Sequence, residues 1–247
     1  MTEATEACPG ETAAAGTDAT EQEIGARKLK LILGNGGQSH QWVKERFAPG
    51  SAPMRLEDIL HMHRMVAEEA GIRYKTPGVM RDASRQVMTG SPETGFHKGA
   101  PGSRVQYLME QYVQFIQGKK LLDLPPIIHA LVAHFFITTI HPFEDGNGRL
   151  SRLIAAGILF QRGYNGHGFY ALSGYFYQHQ ERYYKLLFTL QQSPCPDLTE
   201  FIAFGMEALA AELQGINSFI KVKLNRASER KAPAAGTRRN RTAQAHF

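Results

Sequence analysis

Residues 127–140 read IIHALVAHFFITTI and run directly into HPFEDGNGRLSR at 141–152. The first stretch is apolar at almost every position and follows Pro125 and Pro126, whose missing amide hydrogens cost nothing in the first turn of a helix. It predicts a helix that is apolar on every face, and such a helix belongs at the centre of a bundle. The second stretch turns through two glycines, after which RLSRLIAAGILFQ (149–161) predicts a second buried helix closed by Gly163. Two buried helices joined by a short polar loop make the expected fold class all-α.

Helical period extends outward on both sides. EIGARKLKLIL (23–33) is amphipathic and stops at GNGG (34–37), a helix stop lacking the Lys-Ser/Thr of a P-loop. A second amphipathic segment runs from Leu56 through Ile59, Leu60, His63 and Val66 to Gly71. Ser103 is placed to cap a helix carrying Val105, Leu108, Met109, Tyr112 and Ile116 inward and ending at Gly118. Asp197 and Glu200 predict a capping box for a last helix through Leu213 toward Leu224. Between these, GVMRDASRQVMTGSPETGFHKGAPG (78–102) has no helical period and several turn residues, which predicts a β-hairpin or flap. His129 and His134, on the central helix, read as hydrogen-bonded core histidines rather than metal ligands.

The expected organisation is an acidic, disordered lead-in (1–22), an N-terminal helical segment (23–55), one main domain (56–226) and a basic disordered tail (227–247). The net charge of +5 arises at that end: residues 221–247 hold eight Lys and Arg against Glu229 alone, so the body is slightly acidic. Nucleic acid is therefore not an expected partner except through the tail. Cys8 and Cys195 offer no zinc spacing and no disulfide framework. No apolar run reaches the roughly 18 residues of a membrane span, and MTEATEACPGETAAAGTDATEQ has acids but no basic residue, unlike a presequence. A cytoplasmic protein is expected.

The loop itself points to an anion. Glycines allow tight turns, and the amides opening the following helix have no intrahelical partners, so oriented N–H groups and the helix dipole together favour phosphate. Arg149 and Arg152 lie three apart on one helical face, where both guanidinium groups reach a polyphosphate. A carboxylate beside them, Asp145, makes sense as a ligand for Mg²⁺ bridging phosphate oxygens. His141 titrates near neutral pH and is suited to take a proton from an attacking hydroxyl. Phe143 reads as an anchor for the loop.

These residues resemble the Fic (filamentation induced by cAMP) family, whose motif is His-x-Phe-x-Asp/Glu-Gly-Asn-Gly-Arg-x-x-Arg. His141, Phe143, Asp145, Gly146, Asn147, Gly148, Arg149 and Arg152 fill every fixed position. The likeness extends to the flap and to SGYFYQHQERYYKLL (173–187), spanning roughly residues 56–225. It implies a Fic-type helical bundle with a β-hairpin flap beside the active-site loop, transferring AMP from ATP to a Ser, Thr or Tyr hydroxyl of a target protein. By the same resemblance His141 is the general base, Asp145 the Mg²⁺ ligand, Gly146, Asn147 and Gly148 the phosphate cradle, and Arg149 and Arg152 the β- and γ-phosphate ligands. Val87, Met88 and Thr89 would dock the target by strand addition, and Tyr183 or Tyr184 would border the adenine.

Fic proteins are commonly restrained by a glutamate in a Ser/Thr-x-x-x-Glu-Gly/Asn motif, and no glutamate in this sequence is followed by Gly or Asn. Three outcomes fit: an antitoxin-like partner supplies the glutamate, a diverged N-terminal glutamate does so, or the enzyme is unrestrained. Glu23 is the nearest candidate, although it fails the motif on both sides, and a partner or a diverged site is preferred. The transferred group is not set by the motif, since a phosphoryl or another nucleotide moiety uses the same scaffold. A rival of a different class is a non-enzymatic regulator working through the basic tail.

Overall fold

The computed structural model describes residues 37–69, 76–93, 95–164 and 172–231. Nine helices and one hairpin are found among them: α1 (Gln38–Arg46), α2 (Leu56–Glu69), β1 (Met88–Ser91), β2 (Gly95–Lys98), α3 (Gly102–Ile116), α4 (Lys119–Leu122), α5 (Pro126–Ile140), α6 (Asn147–Gln161), α7 (Ser173–Gln178), α8 (Gln180–Gln191) and α9 (Thr199–Lys231). The all-α bundle with a β-hairpin flap is the observed fold.

The central pair is α5 and α6. Pro125 caps α5 and Pro126 opens its first turn. Ala130, Ala133 and Ile137 join the main core with Leu150, Leu153 and Ile154 of α6, while Leu131 and Phe135 turn to a second cluster with Phe176, Tyr183, Phe201 and Phe204. Each of the larger aliphatic and phenylalanine side chains contributes about 1.5–3 kcal/mol on burial, so α5 is held from both sides and its C-terminal end is a fixed point. α1 and α2 pack on α6, α3 on α5, and α9 on α5 and α7. Asp58 of α2 takes a bidentate bond from Arg46 of α1 at 2.9 and 2.7 Å and accepts the Arg55 N–H.

Some local expectations change. Pro101, not Ser103, caps α3, and no side-chain cap bond is made there. The helix α1 lies inside the helical segment expected at 23–55, but its buried residues, Ser39 and Val43, are too sparse a stripe to have marked it. Gly37 precedes α1 as its N-cap, whereas residues 23–33 lie outside the described residues, as do 1–22 and the tail from 232. α9 runs on to Lys231. Just ahead of its first turn Asp197 accepts the Thr199 N–H and hydroxyl. His134 is a bonded core histidine, its Nε2 lying 2.8 Å from the Tyr183 hydroxyl. His129 is equally buried, but neither ring nitrogen has a hydrogen-bond partner among the described residues.

Candidate active site

α5 ends at His141 and α6 begins at Asn147, so the loop between them is held at both ends by the core. His141 occupies the left-handed region (φ 53°) and donates its N–H to Ile137, closing α5. Few L-residues adopt that conformation willingly, and here it lifts the imidazole off the helix axis. Its Nδ1 faces the Thr138 carbonyl at 3.3 Å, so Nδ1 carries the proton and Nε2 keeps its lone pair. Burial pushes the imidazole down to about 4, against the opposing pull of Thr138, with His97 and Arg81 adding to the shift. A base that is neutral at pH 7 results.

Phe143 is fully buried and lies face to face on the His63 ring, 3.7 Å between centroids. His63 accepts the Gly78 N–H at Nδ1 (2.9 Å), which leaves Nε2–H to donate to the Asp145 carbonyl at 3.0 Å. Asn147 spends its side-chain amide on Phe143, bonding the N–H at 3.0 Å and the carbonyl at 2.9 Å. Gly146 needs its positive φ of 79° to start α6. One oxygen of Asp145 accepts the Gly146 N–H.

Arg81 fastens the flap to this loop. Its Nε donates to the His141 carbonyl at 2.7 Å, and its terminal nitrogens reach the carbonyls of Arg85, Ile140 and Ala100. A buried cation at the C-terminal end of α5 also suits the helix dipole. Gly99 passes so close that a β-carbon there would meet the His141 Cβ at 2.8 Å. Arg85 pairs with Glu144 of the loop. In the hairpin the Val87 carbonyl accepts the Gly99 N–H, and Thr89 stands opposite His97. Alternation along an antiparallel strand therefore turns the N–H and C=O of Met88 and Gly90 to the outer edge.

A cavity of about 410 Å³ gathers the expected residues: His141, Asp145, Gly146, Asn147, Gly148, Arg149 and Arg152 from the loop and α6, with Val87, Met88 and Thr89 from the flap. Its size is that of a small-molecule site. Arg152 is the telling member. Its Nε is buried with no hydrogen-bond partner among the described residues, and burial lowers its pKa. With that Nε unpaired, the part-buried guanidinium suits an anion near the N-terminus of α6. Tyr183 and Tyr184 both reach the wall, but the Tyr183 hydroxyl is bonded to His134 and the ring is in the core.

Residues 53–159 match the Fic/DOC family model. That stretch is similar to Fic domains. Curated relatives include the protein adenylyltransferase Fic of Aedes aegypti, 30% identical over 151 residues, which are 60% of this chain and 27% of that protein. The protein of the same name from Drosophila erecta is 33% identical over 109 residues, 44% of this chain and 20% of that one. The chain thus spans about a quarter or less of the length of these relatives. A Fic family protein from Desulfovibrio desulfuricans G20 shares the fold at a TM-score of 0.59, with 22% identity over 81% of this chain and 55% of that chain. No helix among the described residues is long and apolar enough to cross a membrane.

The supports of this site were not foreseen. His63 reads in the sequence only as one member of the α2 stripe, and Arg81 and Gly99 as part of a flap. The one local signal for Arg81 is a lone arginine ahead of a strand-like segment, which says nothing of burial.

Proposed function

We propose that this chain transfers AMP from ATP to a hydroxyl of a target protein, with pyrophosphate as the leaving group. The observation that carries this reading is the meeting, in one cavity, of a neutral His141 with the unsatisfied Arg152 and the N-terminus of α6. In this reading Nε2 of His141 takes the hydroxyl proton as the oxygen attacks the α-phosphorus. Arg149 and Arg152 hold the β- and γ-phosphates, and the amides of Gly146, Asn147 and Gly148 line the phosphate path. Asn147 contributes by its backbone, its side chain being spent on Phe143. Tyr184, half-buried on the wall, flanks the adenine better than Tyr183.

The residues fit Mg²⁺. Asp145 brings a carboxylate to the cavity with one oxygen held by Gly146 and the other left for a hard cation, and Mg²⁺ needs only one or two protein carboxylates when phosphates and water complete its shell. When bound, it would neutralise charge on the phosphates. The target docks as a strand on the outward edge of Met88 and Gly90. Restraint by an antitoxin-like partner belongs to the same reading, as does action in the cytoplasm.

The test is to incubate the purified chain with Mg²⁺, cell extract and ATP radiolabelled at either the α- or the γ-phosphate, beside His141→Ala. Protein label from the α-phosphate alone, lost in the variant, is the expected result. Label from the γ-phosphate alone would replace this reading with a kinase on the same scaffold.

A further inference from the structure

We propose that the far half of α9 is a dimerisation surface on which a second copy of this chain docks antiparallel. α9 is 33 residues long, about 50 Å at 1.5 Å per residue, but its anchorage lies in its first part, where Phe201, Phe204 and Ala208 are fully buried. From Ala211 to Arg226 no residue is buried. That stretch nevertheless carries an apolar stripe. From Leu209, which still packs partly on the second core cluster, Leu213, Ile216 and Ile220 follow at steps of four, three and four, the a/d spacing of a coiled-coil seam, with Met206 ahead of them and Leu224 one turn beyond. Leu213 is 40%, Ile220 44% and Leu224 64% exposed. A helix that has left its body with such a stripe in water has a face that still needs cover.

The charges select the occupant and its direction. The first half of α9 carries Glu200, Glu207 and Glu212, whereas Leu213 to Arg226 carries Lys221, Lys223 and Arg226 and no acid. The helix is therefore acidic toward the body and basic toward its far end, and so complementary to itself when reversed. Parallel copies would set the basic ends side by side. Antiparallel copies bring each basic end to the partner's Glu207 and Glu212, and put the two bodies at opposite ends of the paired stretch, clear of one another. Glu207 already holds Arg182 and Tyr175 of its own chain, yet its side chain is 45% exposed and open to a further cation. Such an isologous pairing closes at two chains.

The uncovered part of the seam, Leu213 to Leu224, is less than two heptads, so the association is weak and depends on concentration. Sedimentation velocity of the full chain, from the low micromolar to the hundreds of micromolar, is the experiment. A reversible monomer–dimer equilibrium is expected. Leu213→Glu combined with Ile220→Glu should leave monomer throughout, with helicity and melting unchanged because both side chains are exposed. Reversing Lys221, Lys223 and Arg226 to Glu should weaken the dimer at least tenfold at low salt, by setting like charges against the partner's acids. A parallel pair would merely exchange one like-charge stack for another and keep its affinity, which overturns the direction. Wild-type protein that stays monomeric, its seam left to another occupant, or a double variant that still dimerises, overturns the proposal.

Discussion

The Nε2–H of His63, on α2, donates to the carbonyl oxygen of Asp145 across 82 positions of sequence, at 3.0 Å. One ring thereby holds the proposed metal-binding residue by its backbone, the Gly78 amide by its other nitrogen and Phe143 by its face. His63→Ala leaves a buried donor and a buried acceptor unpaired and should destabilise the fold by about 2–4 kcal/mol, read from urea denaturation. His63→Gln, whose amide can keep the Asp145 bond, should recover AMP transfer more than it recovers stability. Equal recovery of both would reduce His63 to a packing residue.

Arg152 sets function against stability. Replacing it with Met removes a buried cation without a partner for its Nε, so the nucleotide-free chain should gain about 1–2 kcal/mol in thermal or chemical denaturation. ATP affinity should fall ten- to a hundredfold, the worth of a charge-assisted bond of about 1.5–3 kcal/mol. Calorimetric titration with a non-hydrolysable ATP analogue measures the second effect. A variant that melts higher and still binds would show that the polyphosphate lies elsewhere.

Met88→Pro tests the docking edge. The alternation that turns the Met88 N–H outward makes proline tolerable there, since no bond of the hairpin is lost. Nucleotide affinity and melting should hold, while labelling of targets drops at least tenfold. Unchanged labelling would mean that targets bind without adding a strand.

Gly99→Ala acts on geometry alone. Its β-carbon would meet the His141 Cβ at 2.8 Å and an Arg81 nitrogen at 3.0 Å, so the imidazole must shift. The expected result is a transfer rate reduced about 10²-fold, the scale of a misplaced reacting group, with ATP affinity little changed. An unchanged rate would mean that His141 tolerates displacement and is not the base.

Acid should weaken the fold through its histidines. Burial lowers His63, holds His134 at about 3 and His141 at about 4, whereas the unfolded chain takes up protons near 6.5. The unfolded state therefore binds more protons below that value. Stability is full above about pH 6.5 and is lost toward pH 4, His134 and His141 each contributing about 1.4 kcal/mol per pH unit and His63 acting in the same direction. His134→Gln should flatten the dependence of unfolding free energy on pH by one proton over that window. Side-chain NMR should find the His141 ring neutral at pH 6, its signal assigned by loss in His141→Ala.

What the sequence discloses follows from how local each signal is. The α5–α6 pair and the residues of the loop are legible because hydrophobic pattern, prolines and glycines all lie within one short stretch. The flap is legible as a break in helical period. α1 is not, because QSHQWVKER buries only Ser39 and Val43 and its place depends on α6 and α2. His63 and Arg81 are invisible for a related reason: each acts on backbone far away in sequence, and no spacing encodes a bond that only packing creates. Tyr183 shows the converse, since an aromatic correctly placed near the site is committed to His134 by a contact across two helices.

Arg81 also has a mechanical meaning. Because one guanidinium grips the carbonyls of Ile140 and His141 together with those of Arg85 and Ala100 on both approaches to the hairpin, the hairpin cannot be lifted without pulling on the end of α5. The distance between the edge that would receive a target and the imidazole that would deprotonate it is thus built as a rigid gauge. On the proposed function, a target segment would have to match that length as it arrives, and one that pried the hairpin open to fit would unseat the proposed base.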